Sequence, residues 1–250
     1  MPIGIIINGC SVILGGMLGC VLGKKLDSEL QDKLQMVFAV CSMSMGIGTI
    51  VLMQNIPAVI FSVIFGTVVG HVCHLEESVN KAAKWMQKII LRLLGSHSTL
   101  PTEGKDDILL TVIVLFCASG TGIYGSMISS MTGDHSILIA KSILDLFTAL
   151  IFSCSLGLVV SMVAIPQMII FLILFFCAGV IYPLCTPEMI GDFKACGGCI
   201  MLATGFRMVR LKQFPVADMI PSMALVMPIS WLWMNYVCLL YTSDAADDMQ

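Results

Sequence analysis

The sequence predicts an all-helical integral membrane protein, and three observations carry that prediction. Of 250 residues, 58% are apolar and 12% charged, where water-soluble chains run at roughly 45–50% and about 25%. The apolar residues are gathered into long stretches with short polar ones between them, giving a mean hydropathy of +0.97. The basic residues collect in the segments between alternate stretches. The first two observations set aside a soluble enzyme and a disordered chain. The net charge of -3 leaves no basic footprint for nucleic acid.

A helix needs about 20 apolar residues to cross roughly 30 Å of hydrocarbon, because every backbone polar group has to be satisfied within the segment. Eight segments qualify, at residues 3–23, 34–53, 56–73, 108–129, 137–160, 167–184, 195–209 and 214–237. The seventh is short and Gly-rich, and losing it leaves seven.

Span one has no charged side chain before it, while Lys24 and Lys25 follow it. That order is the reverse of a secretory leader and predicts a retained helix with its N-terminus outside. Leu18-Gly19-Cys20 has the look of a lipoprotein cleavage site but lacks the basic leader such sites follow. Eight spans starting outside put Lys24, Lys25, Lys33, Lys81, Lys84, Lys88, Arg92, Lys105, Arg207, Arg210 and Lys212 on the inner side. Only Lys141 and Lys194 of the 13 basic residues are left outside. A seven-span layout puts the last basic cluster on the wrong side, so eight is preferred and the inner side is the cytoplasm.

After span three, Leu75, Val79, Ala82, Met86, Ile89 and Leu93 recur every three or four residues, with Glu77, Lys81, Lys84, Lys88 and Arg92 opposite. The spacing predicts an amphipathic helix over 74–95. Its expected bed is the cytoplasmic headgroup layer, where each basic side chain gains about 1 kcal/mol from anionic lipid; a partner-binding helix is the alternative. Residues 95–106, with Ser, Thr and Pro101, read as a linker into span four. The membrane domain is taken as 1–237. The polar, acidic residues 238–250 match nothing before them and resemble the translated read-through of a sequencing adapter, so no function is placed there.

Spans one to three and six to eight share an order of features. Glu29 and Glu188 follow spans one and six, and Gly46 and Gly205 come 17 residues later in each. Asn55-Ile56-Pro57 then matches Asp218-Met219-Ile220-Pro221. The two triplets run oppositely through the membrane, an inverted repeat around the central pair of spans four and five, as in many secondary transporters.

Gly4-Ile-Ile-Ile-Asn8, Gly66-x3-Gly70, Leu115-Phe-Cys117 leading to Gly125-Ser126, Lys141-Ser142-x2-Asp145, Gly197-Gly198 and Asp218-Met-Ile-Pro221 together resemble the domain of unknown function 554 family of bacterial multi-span proteins, also called YdfK/YqgA-like. The resemblance runs from Met1 to about Val237. The Lys-Ser-x2-Asp box is its most specific part. His71 stands where the family pattern has an acid, and Ser119-Gly120-Thr121-Gly122 replaces a less polar stretch. The resemblance implies a location and a fold, with no activity attached.

Ionisable groups at the centre of a span cost about 2.5–3.5 kcal/mol each on insertion scales, so each needs a partner or a purpose. Lys141 and Asp145, at i and i+4, share one face of span five. They form either an ion pair that helps the helix insert, or a site where Asp145 binds a proton or cation in exchange with Lys141. Ser142 lies in the same box. Ser119, Gly120, Thr121, Gly122, Gly125 and Ser126 crowd into span four, a density that weakens a helix. An unwound stretch there would offer backbone groups to a substrate, while close helix packing is the alternative. Asn8, one and a half turns into span one, is interhelical glue or a ligand.

Cys196-Gly-Gly-Cys199 has redox spacing, but the chain's 11 cysteines are scattered through apolar segments and read as small hydrophobes. His71, Cys73, His74 and Glu77 come from a single helical turn, with no second cluster to complete a metal site. No Walker, Gly-x-Ser-x-Gly or His-Glu-x2-His pattern occurs. The expectation is a non-enzymatic, cofactor-free protein of the bacterial cytoplasmic membrane. Its partners are the lipid bilayer and a small solute or ion, with a homo-oligomer left open. Asp145 is the coupling group, Lys141 its counter-charge, and Ser119–Gly122, Asn8 and Ser142 are polar ligands. A non-transporting assembly or sensory module, in which the same groups only lock helices, is the competing class.

Overall fold

The computed structural model describes residues 1–22, 28–94, 105–209, 211–212 and 214–237. Lys24, Lys25, the linker over 95–104, Arg210 and the tail 238–250 lie outside the described residues. Within them every regular element is helical. The helices are α1 (Ile3–Leu22), α2 (Ser28–Ile50), α3 (Ile56–Val72), α4 (Leu75–Leu94), α5 (Lys105–Cys117), α6 (Gly120–Thr132), α7 (Ser136–Leu156), α8 (Val159–Met162), α9 (Ala164–Ile181), α10 (Pro187–Met208), α11 (Val216–Met219) and α12 (Pro221–Leu232). A 3-10 turn, Tyr182–Leu184, ends α9, and a π turn, Trp233–Val237, ends α12.

The protein is thus an all-α membrane protein, and length and apolarity alone do not give the eight spans expected. Among the described residues, six helical segments are long and apolar enough to cross a bilayer, or seven if α3 and α4, bent by 59° at His74, count as one. α10 is absent from that set, and packing explains its low hydropathy. It touches α2, α3, α6, α11 and α12, so most of its surface meets protein and small or polar residues serve it better than lipid-facing ones. Residues 195–209 cover only its later part, because Thr186 caps a longer helix from Pro187, its Oγ1 accepting from the Met189 amide at 3.4 Å.

Other boundaries move for local reasons. Gly157, at φ 78°, stops α7 at Leu156 rather than at 160. The next helical segment starts at Val159, so Gln167 lies inside a span and not at its edge. Span four is broken in two. Ser119 leaves the helix at ψ 133° and caps α6 with Oγ accepting from the Gly122 amide at 3.2 Å.

Glycines set the helix pairs. α1 runs parallel to α7, with Gly15 and Gly19 lying on the carbonyls of Leu146 and Leu150. α2 runs antiparallel to α10, Gly46 meeting Gly198 while Gly205 meets Ala39 and Met43. α3 crosses α11 and α12 with Gly66 against Ser222 and Gly70 against Asp218. Three apolar clusters fill the interior, one around α6, α10 and α12, a second around α5, α7 and α8, and a small third of Ile5, Leu138 and Phe171. On α4, Ala83, Met86 and Ile90 pack into the second cluster, whereas Ala82 of the expected apolar face is exposed. Trp85 is exposed.

Candidate functional site

The helix pairs bring polar side chains from three spans to one point. Lys141 Nζ donates to Asp145 Oδ1 at 2.7 Å along α7. Asn8 Nδ2 of α1 and Gln167 Nε2 of α9 both donate to Asp145 Oδ2, at 2.9 and 3.0 Å. Gln167 Nε2 also donates to Asn8 Oδ1 at 2.8 Å. All four residues are buried, Gln167 and Asn8 at 0% and 1% exposure. The carboxylate is therefore saturated by three donors, as a charge held away from water requires. Gln167 Oε1 is the exception: among the described residues it is the buried side-chain nitrogen or oxygen atom with no hydrogen-bond partner.

The α5–α6 break flanks this cluster. The Phe116 ring centroid lies 5.9 Å from Lys141 Nζ, a distance at which an aromatic face attracts a cation. Gly122 leaves room for the Lys141 stem, since a Cβ there would come within 2.9 Å of Lys141 Cε and overlap the Phe171 ring. Gly120 does the same for Ile200 and Thr204. Both glycines thus set spacing. Ser142 departs from the expected group, its Oγ donating to Leu138 O of its own helix at 2.6 Å.

The pair borders open space. A small pocket of about 30 Å3 touches Lys141, Asp145, Ser119 and Thr121. It shares Leu115, Thr148, Thr204 and Met208 with a cavity of about 620 Å3 whose lining includes Asp32, Gln35, Asn80 and Arg207. Arg207 is itself 3.3 Å from Glu76 of α4.

Two other buried acids hold the scaffold. Asp192 accepts from the Gln54 and Asn55 amides at 2.8 Å each, from Asn55 Nδ2 at 2.9 Å and from Ser230 Oγ at 2.6 Å, pinning the α2–α3 turn. Asp218 accepts from the Glu76 amide at 3.0 Å at the start of α4 and lies 3.7 Å from His71 Nδ1. Cys196 donates to Ser222 Oγ at 3.2 Å. His74 pairs with Glu77 at 3.8 Å. No group of three or more His, Cys, Asp or Glu able to hold a metal occurs among the described residues.

The sequence reasoning missed Gln167, Asp192, Thr148 and Thr204. Gln167 was within reach: it is the one carboxamide of α9, and the argument applied to Asn8 applies equally to it. Thr148 and Thr204 carried no signal, since a hydroxyl in a span satisfies itself on its own helix, as both do.

The sequence model of the family described as "Protein of unknown function (DUF554)" matches residues 3–231. The chain is 44% identical over 233 residues to "Uncharacterized protein YqgA" of Escherichia coli (strain K12), covering 93% of this chain and 98% of that protein. It is 25% identical over 239 residues to "Uncharacterized membrane protein YdfK" of Bacillus subtilis (strain 168), covering 90% and 94%. No solved structure matches the chain.

Proposed function

Because the chain belongs to the DUF554 family, whose two relatives above are described as uncharacterised, its activity has to be read from its own site, and we propose that it is a secondary transporter or channel for a small solute or ion with Asp145 as coupling group. The observation that carries this reading is the approach to Asp145: the pocket at the Lys141–Asp145 pair shares four lining residues with the large cavity. A lock between helices needs no such approach.

The two volumes divide the work. About 620 Å3 falls within the roughly 300–1,000 Å3 of small-molecule sites, whereas about 30 Å3 suits a water molecule or a bare ion. The solute then occupies the cavity and the coupling species meets Asp145. Lys141 is the counter-charge that keeps the empty site neutral, and Ser119 and Thr121 face the same pocket. No bond of the solute is made or broken in this scheme, so the chain is not an enzyme.

The protein is placed in the bacterial cytoplasmic membrane with its N-terminus outside. With α3 and α10 both crossing the membrane, Asp32, Asn80 and Arg207 of the cavity lining fall on the basic, cytoplasmic side, and the cavity faces inward. The antiparallel pairing of α2 with α10 and α3 with α12 supports an inverted repeat, since a two-fold axis in the membrane plane would exchange those partners.

One observation favours the second reading, a non-transporting assembly or sensory module: both Asp145 oxygens already have donors. The deciding experiment compares uptake and export of a solute panel in cells expressing the native chain or Asp145→Asn, at matched membrane insertion. Transport predicts a flux that the substitution abolishes. Equal fluxes for every solute leave the module reading.

A further inference from the structure

We propose that the Asp145 cluster is a binding site for a small monovalent cation such as Na+, ligated by Asp145 Oδ2, Asn8 Oδ1 and Gln167 Oε1, and that the Lys141 ammonium holds the carboxylate only while the ion is away. This deepens the transport reading and rests on it for its purpose.

The orphaned oxygen is the starting point. A buried carbonyl without a donor costs free energy, about 1–3 kcal/mol, yet Gln167 Oε1 has none and the residue is 0% exposed. On the same amide, Nε2 lies 2.8 Å from Asn8 Oδ1 and 3.0 Å from Asp145 Oδ2. Half a turn about the last side-chain bond exchanges Nε2 and Oε1. Three oxygens, one of them anionic, then converge where the amide hydrogens now bridge. Left empty, that arrangement sets acceptor against acceptor; a cation turns all three contacts favourable. Carboxylate and carbonyl oxygens are the ligands hard cations prefer, and a single carboxylate matches a single charge. A proton would occupy one carboxylate oxygen and draw no ligand from Gln167, whereas an ion recruits Oε1 and turns Nε2 to the side that Oε1 now faces.

The ammonium has somewhere to go. Lys141 lines the small pocket with Ser119, Thr121 and Thr204, and that pocket shares four lining residues with the large cavity. A lysine can turn its head towards that wetter space while its stem stays against Gly122 and Phe116. One buried acid thus carries one cation at a time, internal or external.

The test is equilibrium binding of radiolabelled Na+ to the full chain purified in detergent, with choline chloride holding ionic strength constant. The native chain is expected to bind Na+ saturably and to unfold at a higher temperature in NaCl than in choline chloride. Gln167→Leu and Asp145→Asn are expected to lose both effects, while Gln167→Glu, which keeps an oxygen in place, retains binding should the leucine variant fail to fold. Lys141→Met is expected to bind Na+ several-fold more tightly, its competitor having gone. No saturable binding by the native chain, or binding indifferent to both Gln167→Leu and Lys141→Met, overturns the proposal. If Na+ binding is absent while Asp145→Asn still abolishes solute flux, the cation site falls and the transport reading stands. If Na+ binds as expected and no flux responds to Asp145→Asn, the reverse holds.

Discussion

Asn8 and Gln167 are 159 residues apart in the chain, yet the Gln167 amide donates to Asn8 Oδ1 at 2.8 Å, and each also donates to Oδ2 of Asp145. α1, α7 and α9 are therefore joined at one carboxylate, and removing it leaves Lys141 without its acceptor and Asn8 and Gln167 with only each other.

Asp145→Leu strands the Lys141 ammonium at 4% exposure, and breaking a buried ion pair from one side costs about 3–5 kcal/mol. The double variant Lys141→Met with Asp145→Leu removes both charges and is expected to recover most of that loss. Unfolding of the three proteins in detergent measures it; a double variant no better than the single one would show that the pair is not the source of the cost.

Gly19 and Gly48 are both helical glycines with opposite expected responses. A Cβ on Gly19 overlaps the Leu150 backbone of α7, whereas one on Gly48 meets nothing within 4 Å. Gly19→Ala should lose about 1–3 kcal/mol by forcing α1 from α7, and Gly48→Ala should gain up to about 1 kcal/mol of helix propensity. Thermal unfolding of both checks the pair of signs.

Asp192→Ala leaves the Gln54 and Asn55 amides without their acceptor. A buried unpaired N–H costs about 1–3 kcal/mol and these half-buried ones less, so the α2–α3 turn is expected to loosen. Proteolytic cleavage near Gln54 in membranes reads the loosening directly, and unchanged resistance would remove Asp192 from this role.

Asp134, at the start of α7, has its carboxyl held below its ordinary value, first by the Ser136 side chain and then by the Ser136 amide at 2.9 Å. A group lowered in the folded state stabilises it fully above the unfolded value and loses that contribution as pH falls through the lowered one. The residue is mostly solvated, so the effect is small. Between neutral pH and about pH 3, the native chain should lose slightly more stability than Asp134→Asn, whose profile should be flatter in that window.

Thr148 stands between the large cavity and the Asp145 pocket. In a background with the exposed native cysteines replaced by serine, Thr148→Cys should react with a charged thiol reagent applied from the cytoplasmic side. Ser142→Cys should not, since Ser142 lines neither the cavity nor the pocket. Labelling of position 148 from the outside alone would reverse the proposed orientation.

How far the sequence reached differs by residue. Lys141 and Asp145 were readable as a pair because i and i+4 on one helix is local geometry, and their cost in a span marks them. The break at Ser119 was readable because small polar residues weaken a helix wherever they stand. Asn8 was marked only as polar, since its partner is set by how α1 lies along α7. Cys196-Gly-Gly-Cys199, read as apolar despite its redox spacing, lies at helix contacts: Gly197 meets the Tyr124 ring and Gly198 meets Gly46.

Hydrophobic length and helix punctuation are local, and from them alone came the solvent, the helical class, the Lys141–Asp145 pair and the weak point of the fourth span. Which polar groups meet was decided only when the helices packed, because in lipid close approach depends on small residues and buried hydrogen bonds spread over distant segments. That is why Gln167 joined Asp145, why α10 became a central helix despite its modest apolarity, and why one amide oxygen was left facing no donor.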